Sequence, residues 1–329
     1  MNTLTPRGAR FRHVVFADDV ARGGRAVNFA PAADTAGMPG PAPSGPVAGD
    51  VHGGHDDAGP TPDAASGWSP VGAATEDERF LRWLFDRAGL DARAYKPETL
   101  RRRLGACLRA IRAGSPAHAR QILQRAPSLV PVALDTLIIG VTSFFRDRAV
   151  FAHLAAHVLP ALAERTGGVR VWSAGCSDGA ELYSVAMLLA EMRVLHRCYL
   201  LGTDCRTEAV RRGTAAVFDA AAVRSVPEGM LHRYFVPAGR DWRVQGWLRT
   251  VVQFRTANVL KVTEPGHFDL VLCRNMAIYL HGDPVLRLWA GLEQSLRTGG
   301  VLVVGKAERP VGAKSLSTVG PCVYRRTRA

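Results

Sequence analysis

Residues 169–184, with the sequence VRVWSAGCSDGAELYS, decide the predicted fold of this chain. The stretch starts with a short apolar, β-branched run, which is typical of a buried parallel strand. Gly175 and Gly179 follow, and glycine lets the backbone bend sharply and approach a bound ligand closely. Apolar residues at helical spacing begin at Leu182. The stretch therefore predicts a strand, a glycine loop and an amphipathic helix whose N-terminus favours an anion.

Short apolar strands and amphipathic helices continue to alternate after this stretch, which predicts a doubly wound α/β domain. The second strand ends at Asp204, where α/β nucleotide folds present a carboxylate to ribose hydroxyls. In such sheets, ligands lie outside the carboxyl ends of the strands. The predicted site at that edge comprises Gly175, Asp204, Asn258, Arg274 and Asn275.

Composition and periodicity divide the chain into three parts. Residues 1–74 are rich in Ala, Gly and Pro without a sustained period, and we expect a disordered extension. Residues 75–140 open with a capping-box pattern, TEDE, and predict an all-α N-terminal domain. Residues 141–329 carry the α/β domain. Within it, residues 218–253 break the alternation with short runs separated by Pro and Gly, which predicts a small antiparallel β insertion.

The charge of the chain suggests an acidic partner without identifying it. Lys and Arg number 42 against 29 Asp and Glu, a formal net charge of +13. Nucleic acid, an acidic protein surface and an anionic membrane all fit this balance, and so does an ordinary solvated basic surface. A basic amphipathic helix over residues 99–111 offers Arg102, Arg103 and Arg109 as candidate substrate-binding residues.

Two further features favour a soluble, cytoplasmic protein without a metal. The sequence has neither an apolar run long enough to span a membrane nor the apolar core of a secretion signal near Met1. Its 6 cysteines are scattered, with no CxxC pair and no Cys/His metal spacing. We therefore expect reduced thiols and no metal site.

Several separated motifs resemble the CheR family, the chemotaxis-receptor glutamate methyltransferases. They are TSFFRD at residues 142–147, WSAGCS at 172–177 with ELYS at 181–184, and FD at 268–269 with CRN at 273–275 and IY at 278–279. The resemblance runs in order from about Glu76 to the C-terminus. A glycine loop alone would be a weak signal, whereas several motifs at compatible spacing are specific.

The resemblance implies S-adenosylmethionine as methyl donor, S-adenosylhomocysteine as product, and the cytoplasmic domain of methyl-accepting chemotaxis receptors as partner. It also implies a monomer that neither inserts into a membrane nor needs nucleic acid. The residues that match the family's cofactor site are Thr142, Arg146, Gly175, Glu181, Asp204, Asn258, Val259, Arg274 and Asn275. Arg146 and Tyr279 match residues placed near the methyl transfer itself, and are our candidate catalytic residues.

The chemistry is consistent with these two candidates. A glutamate carboxylate is already an adequate nucleophile at neutral pH, so the enzyme mainly has to align it with the methyl group and exclude water. The planar guanidinium of Arg146 is suited to hold one oxygen of the substrate carboxylate by hydrogen bonds while the other oxygen attacks the methyl carbon. A structural ion pair with Asp147 or with a C-terminal residue is the alternative for Arg146. Tyr279 could orient the same groups, or could belong to the core.

Departures from the family pattern keep other functions open. Family members typically carry Asn at the position of Gly140 and Thr at that of Asp178, so a catalytically impaired CheR-like signalling or binding module is the alternative. A nucleic-acid methyltransferase is weaker, because Arg274-Asn275 stands where an Asn/Asp-Pro-Pro-Tyr motif would be. A nicotinamide dehydrogenase is weaker still, since the loop lacks G-x-G-x-x-G.

The β insertion has a compact loop, so we expect direct docking on the receptor's helical bundle rather than capture of a C-terminal tether.

Overall fold

The computed structural model describes residues 67–165, 168–261, 264 and 267–327. The predicted extension up to residue 66 lies outside these described residues. Residues 67–74, which composition assigned to the extension, pack against the helical domain: Trp68 is buried and its indole N–H donates to the Tyr95 carbonyl at 3.0 Å. Among the helices of the described ranges, none is both long and apolar enough to cross a membrane.

Four helices form the N-terminal domain, as the sequence predicted. They are α1 (Glu76–Arg87), α2 (Pro97–Ala110), α3 (Pro116–Arg125) and α4 (Val130–Leu137), with 3₁₀ turns at Val71–Ala73, Ala92–Ala94 and Pro127–Leu129. The capping box at the start of α1 is confirmed, because the Thr75 side chain accepts from the Glu78 N–H and the Glu78 side chain accepts from the Thr75 N–H. Two of the four free N–H groups of the helix terminus are satisfied in this way.

The C-terminal domain is the predicted doubly wound α/β fold. Its seven-stranded sheet has the order β6-β2-β1-β7-β8-β10-β9, in which the first five are parallel and β10 runs antiparallel to both neighbours. The strands are β1 (Arg170–Ala174), β2 (Tyr199–Asp204), β6 (Val252–Thr256), β7 (Phe268–Cys273), β8 (Leu296–Val304), β9 (Leu316–Gly320) and β10 (Val323–Arg326). The helices around it are α5 (Arg148–His153), α6 (Leu159–Ala163), α7 (Ala180–Glu191), α8 (Thr207–Ala215) and α12 (Asp283–Ser295).

The small antiparallel insertion is also confirmed. Strands β3 (Val217–Phe218), β4 (Phe235–Ala238) and β5 (Asp241–Val244) form a separate sheet in the order β3-β5-β4, accompanied by α9 (Ala220–Val223), α10 (Glu228–Tyr234) and α11 (Gly246–Arg249). The aromatic ring of Phe144 packs edge-on against Phe218 and Phe235, at centroid distances of 4.7 and 5.1 Å. The insertion is therefore anchored on the TSFFRD segment.

The helical domain and the sheet share one apolar core. Strand β1 sends Val171 to the core beneath α7 and Trp172 to the core that also contains the N-terminal helices, because side chains alternate across a strand. The segment before α2 then pairs with the segment after β7: the Lys96 N–H donates to the Tyr279 carbonyl at 2.9 Å, and the Lys96 ammonium donates to the Ile278 carbonyl at 2.9 Å. The helical domain thus fixes the backbone around Tyr279.

Candidate active site

A single cleft outside the carboxyl ends of β1, β2, β6 and β7 collects the predicted cofactor residues. It encloses about 850 Å³ of empty volume, part of it open to solvent. Its lining includes all nine predicted cofactor residues, Thr142, Arg146, Gly175, Glu181, Asp204, Asn258, Val259, Arg274 and Asn275, together with Tyr279. These residues come from the TSFFRD segment and from the ends of four parallel strands or the segments that follow them, and they meet here because parallel strands end at the same edge of the sheet.

The glycine loop after β1 forms the floor of the cleft. Gly175 and Gly179 both lie in the left-handed region, with φ of 74° and 85°, where a residue with a Cβ is strained. At Gly175 a Cβ would also stand 2.9 Å from the Met276 sulfur. The N–H groups of Gly175 and Cys176 both donate to the Thr203 carbonyl, at 2.8 and 2.9 Å. The loop is therefore tied to β2 and leaves room for a ligand above it.

Arg274 is the centre of a buried ion-pair network on one side of the cleft. Its guanidinium lies 3.2 Å from a Glu181 oxygen and 2.7 Å from an Asp147 oxygen, and it donates to the Arg146 carbonyl at 2.9 Å. Glu181 also accepts from the Ser173 hydroxyl at 2.8 Å. The pKa of Asp147 is lowered despite its partial burial, because Lys306 donates to it and Arg274 lies beside it. The network fixes both the TSFFRD segment and the start of α7.

Asn275 is held in an unusual backbone conformation by a buried carboxylate. Its φ is 58°, in the left-handed region that non-glycine residues rarely occupy. The carboxylate of Glu308, which is 3% exposed, accepts from the N–H groups of Asn275, Met276 and Ile278 at 2.8, 2.9 and 3.3 Å and from that of Gly305 at 2.7 Å. Strained backbone held by its surroundings is frequent at functional sites. Glu308 therefore shapes the part of the cleft between β7 and Tyr279.

The two candidate catalytic residues lie on different segments of the cleft lining. Arg146 donates to the Val141 carbonyl at 2.8 Å. Its predicted alternative role, an ion pair with Asp147, does not form, since Asp147 pairs instead with Arg274 and with Lys306 at 2.7 and 2.8 Å. Tyr279 is half-buried and lines the cleft. It is therefore not a fully buried core residue, which was the alternative to a catalytic role.

The cleft lining fits the amino-acid end of S-adenosylmethionine. Two buried polar atoms there, the Arg274 Nε and the Asn275 Oδ1, have no hydrogen-bond partner within the described part of the chain. A buried polar group without a partner costs free energy of about 1–3 kcal/mol, which a ligand could offset. A guanidinium N–H suits a carboxylate, and an amide oxygen suits an ammonium group. The two cleft-lining residues that carry these atoms, Arg274 and Asn275, therefore offer the chemical groups that the carboxylate and the ammonium group of a methionine moiety require.

Asp204 is in the cleft as predicted, but its carboxylate is already engaged. The Arg206 guanidinium, only 4% exposed, donates to both Asp204 oxygens at 3.0 and 3.2 Å. Backbone N–H groups of Ser177 and Arg206 donate to the same carboxylate, each at 2.9 Å. The expected contact of Asp204 with ribose hydroxyls thus meets a competing guanidinium within the protein.

Asp178, one of the two departures from the family pattern, lies on the glycine loop in an unfavourable environment for a charge. Burial raises the pKa of its carboxyl group to about 6, although the Ala180 N–H and the charge of Arg212 act in the opposite direction. The unfolded chain would titrate near its ordinary value of 3.8. The contribution of Asp178 to the free energy of unfolding is therefore fully favourable below about pH 4, and this contribution is lost as the pH rises through about 6.

We expect the variant D178N to be more stable than the wild type at neutral pH, because it removes the cost of a buried charge. A shift of about two pKa units corresponds to about 3 kcal/mol in the free energy of unfolding at pH 7.5, and to about half of that at pH 5. Urea unfolding at several pH values measures the difference. The exposed Asp86 supplies the matched control D86N, which removes a carboxylate that carries no burial cost, so we expect its stability to stay close to that of the wild type. A difference in the free energy of unfolding between D178N and the wild type that stays constant with pH would contradict this account of Asp178.

The three arginines proposed for substrate binding lie outside the cleft, on α2. Arg102 and Arg109 are exposed. Arg103 is half-buried and its Nε donates to the Thr136 carbonyl on α4 at 2.7 Å, so this side chain helps to pack two helices of the domain. Arg102 and Arg109 are the two of the set that remain accessible to a partner.

Sequence reasoning missed two residues that shape the cleft, Arg206 and Glu308. Glu308 follows the apolar strand β8, and the rule that polar residues after strand ends line the site would have singled it out. Arg206, two residues after the end of β2, satisfies the same rule, but its contacts with Asp135 and Ser177 could not be foreseen because they come from segments that are distant in sequence.

Two family models match most of the described part of this chain, and several curated proteins are similar to it. The family model described as "CheR methyltransferase, SAM binding domain" matches residues 140–321, and the model "CheR methyltransferase, all-alpha domain" matches residues 75–138. The chain is 31% identical to a chemotaxis protein methyltransferase from Listeria monocytogenes, over 70% of this chain and 88% of that protein. It is 32% identical to chemotaxis protein methyltransferase 1 from Pseudomonas aeruginosa, over 54% of this chain and 69% of that protein. It is 25% identical to a chemotaxis protein methyltransferase from Borreliella burgdorferi, over 77% of this chain and 95% of that protein.

Proposed function

The chain belongs to the CheR methyltransferase family, and from this premise we propose that it transfers a methyl group from S-adenosylmethionine to glutamate carboxylates of chemotaxis receptors. The single observation that supports the proposal most strongly is the cleft, whose lining brings together the nine residues that the resemblance to the family assigns to the methyl donor. The product would be a glutamate methyl ester. The finer assignments below, of residues and partner, are part of the same proposal.

The proposed donor residues are those that the resemblance supplied, namely Thr142, Arg146, Gly175, Glu181, Asp204, Asn258, Val259, Arg274 and Asn275. S-adenosylmethionine supplies a methyl group activated by a positively charged sulfur, so no metal and no general base are required of the protein. Arg274 and Asn275 would hold the charged groups of the methionine end. Glu181 keeps Arg274 in place through their ion pair of 3.2 Å. The glycine loop gives the backbone room for close approach at Gly175.

Arg146 and Tyr279 are the proposed catalytic residues. In this proposal, the Arg146 guanidinium steadies one oxygen of the substrate glutamate while the other oxygen attacks the methyl carbon. The Tyr279 hydroxyl fixes the same carboxylate from the other side. The Val141 carbonyl, which accepts from Arg146 at 2.8 Å, and Lys96, which binds the Tyr279 backbone at 2.9 Å, orient the two residues. A closely fitted substrate would also exclude water from the attacking oxygen.

The proposed partner is the cytoplasmic domain of a methyl-accepting chemotaxis receptor, bound by a monomer in the cytoplasm without nucleic acid or membrane insertion. The domain division used here, with an extension over 1–74, a helical domain over 75–140 and a methyltransferase domain over 141–329, belongs to the proposal as well. Exposed Arg102 and Arg109 on α2 would contact acidic residues around the modified glutamates. The β insertion at 218–253 would add contacts to the receptor's helical bundle.

Reversal of two charges on α2 should weaken receptor binding and leave the cleft intact. We expect the variant R102E/R109E to bind a receptor cytoplasmic domain about tenfold or more weakly, with less dependence on salt, because complementary charges are lost. Titration calorimetry with S-adenosylhomocysteine should show unchanged cofactor affinity. The matched control is R193E/R197E, which alters the net charge equally at exposed positions beyond the far end of α7. Equal losses in both variants would show that only the total charge matters.

Incubation with labelled methyl donor and candidate receptor cytoplasmic domains tests the proposed reaction. Glutamate methyl esters are base-labile, so label released as volatile methanol at alkaline pH identifies the product. Substitution of the receptor's glutamates by alanine should abolish the release. Label that resists base would instead indicate methylation of nitrogen or of another acceptor.

The engagement of Asp204 by Arg206 favours a second candidate, a CheR-like signalling or binding module with impaired catalysis. A protein of this kind would bind receptors without transferring methyl groups. Receptor binding together with the absence of S-adenosylhomocysteine binding in calorimetry would support it against the first proposal.

A further inference from the structure

The Arg206 guanidinium lines the cofactor cleft, and all of its N–H groups are satisfied within the protein. Its Nε and one terminal nitrogen donate to the two Asp204 oxygens, at 3.0 and 3.2 Å. The same terminal nitrogen also donates to the Ser177 hydroxyl at 3.2 Å. The other terminal nitrogen donates to an Asp135 oxygen at 3.2 Å and to the Ile138 carbonyl at 3.4 Å. The side chain is thus held from β2, from the glycine loop and from the helical domain.

These contacts leave the Asp204 carboxylate without free acceptor positions. A carboxylate has about four lone-pair sites. The four are matched by the Ser177 N–H, the Arg206 N–H, the Arg206 Nε and one Arg206 terminal nitrogen, at 2.9, 2.9, 3.0 and 3.2 Å. Two of the four belong to the guanidinium. A vicinal diol that hydrogen-bonds to Asp204 would have to replace those two.

Gly140 makes room for the guanidinium. A Cβ at this position would stand 2.0, 2.1 and 2.3 Å from three guanidinium atoms of Arg206, which is closer than Cβ atoms approach any neighbour. The backbone of Gly140 is not in the left-handed region, so alanine could adopt it without strain. Any side chain at residue 140 would therefore force the guanidinium out of its present place.

We propose that Arg206 competes with the ribose of the cofactor for the Asp204 carboxylate, and so determines the affinity of this protein for S-adenosylmethionine and S-adenosylhomocysteine. The inference rests on the proposed donor site and adds a residue to it. When only a fraction of the molecules has Asp204 free, the apparent dissociation constant rises by the inverse of that fraction. The Asp135 contact links this competition to the helical domain, so the position of α4 influences cofactor affinity.

Two substitutions of different chemistry test the proposal, since each removes the competitor from Asp204. R206A deletes the guanidinium, and G140A displaces it. We expect either variant to bind S-adenosylhomocysteine about tenfold or more tightly than the wild type in titration calorimetry, because the ribose hydroxyls then gain hydrogen bonds to a charged carboxylate, which are stronger than those between neutral groups. The double variant G140A/R206A should show no additional gain. If R206A does not fold, G140A and its control decide the question.

The matched controls separate this effect from general changes. R211A removes an exposed arginine of α8, whose guanidinium contacts Glu208 at 2.8 Å, and leaves both Asp135 and Asp204 untouched. G229A adds the same methyl group where no atom lies within 4 Å. Both controls should retain wild-type affinity. A 2′,3′-dideoxy analogue of S-adenosylhomocysteine lacks the competing hydroxyls, so it should show little of the gain.

The outcomes distinguish this inference from the proposed function. Wild-type binding with unchanged or weaker affinity in R206A and G140A would overturn the competition and leave the donor site standing. A full gain with the dideoxy analogue would also overturn it. Binding that is absent from the wild type and present in the variants supports it. Absence of binding in every variant would overturn the donor site and this inference together.

Discussion

The variant R146K should retain cofactor binding and lose most of its turnover. Lysine can still donate to the Val141 carbonyl, which accepts from Arg146 at 2.8 Å. It cannot present two parallel N–H groups to a carboxylate, so the substrate oxygen would be poorly aligned. A small misplacement of reacting atoms costs about a hundredfold in rate, and we expect kcat for methyl transfer to a receptor domain to fall by about that factor.

Titration calorimetry with S-adenosylhomocysteine provides the second measurement, where we expect R146K to stay close to the wild type. The matched control is R309K, because Arg309 also donates to backbone carbonyls, those of Lys306 and Glu308, but lies outside the cleft lining. Its turnover should be unchanged. Unaltered turnover in R146K would remove Arg146 from the catalytic role and leave it as part of the cleft wall.

Much of the fold was predictable because its signals are local. The glycine loop needs positive φ at Gly175 and Gly179, and both residues have it. The capping box at Thr75 and Glu78 involves residues three apart, and both of its hydrogen bonds form. The docking of the segment at Lys96 onto that at Tyr279 joins residues far apart in sequence. No periodicity encodes such a contact, so the relative position of the two domains was not predictable.

The candidate site divides in the same way. Polar residues at the carboxyl ends of strands, such as Asp204 and Arg274, could be placed in one cleft because the ends of parallel strands converge. The partners of those residues could not be assigned, since they depend on side chains from other segments. Arg206 meets Asp204 in the cleft only because Gly140, on a distant segment, has no side chain to exclude it. The catalytic roles of Arg146 and Tyr279 stay predictions.

The variant E308Q should lose both stability and cofactor affinity, although Glu308 is placed to touch neither substrate nor cofactor. One carboxylate oxygen accepts from the N–H groups of Asn275 and Gly305 at 2.8 and 2.7 Å, and the other from those of Met276 and Ile278 at 2.9 and 3.3 Å. Glutamine replaces one of these oxygens by an NH₂ group. Because an NH₂ group donates and does not accept, two of the four buried backbone N–H groups would lose their acceptor. Each buried N–H left without an acceptor costs about 1–3 kcal/mol. We expect the free energy of unfolding to fall by about 3 kcal/mol.

Cofactor affinity should fall about tenfold or more in E308Q, because the loop that presents Arg274 and Asn275 depends on this carboxylate to hold Asn275 at a φ of 58°. The matched control is E78Q. Glu78 is equally buried and also accepts backbone N–H groups, those of Ser69 and Thr75, but it lies in the helical domain. E78Q should lower stability and leave S-adenosylhomocysteine affinity unchanged. Equal affinity losses in the two variants would trace the effect to general destabilisation, whereas a loss confined to E308Q identifies Glu308 as the residue that positions the Arg274 loop.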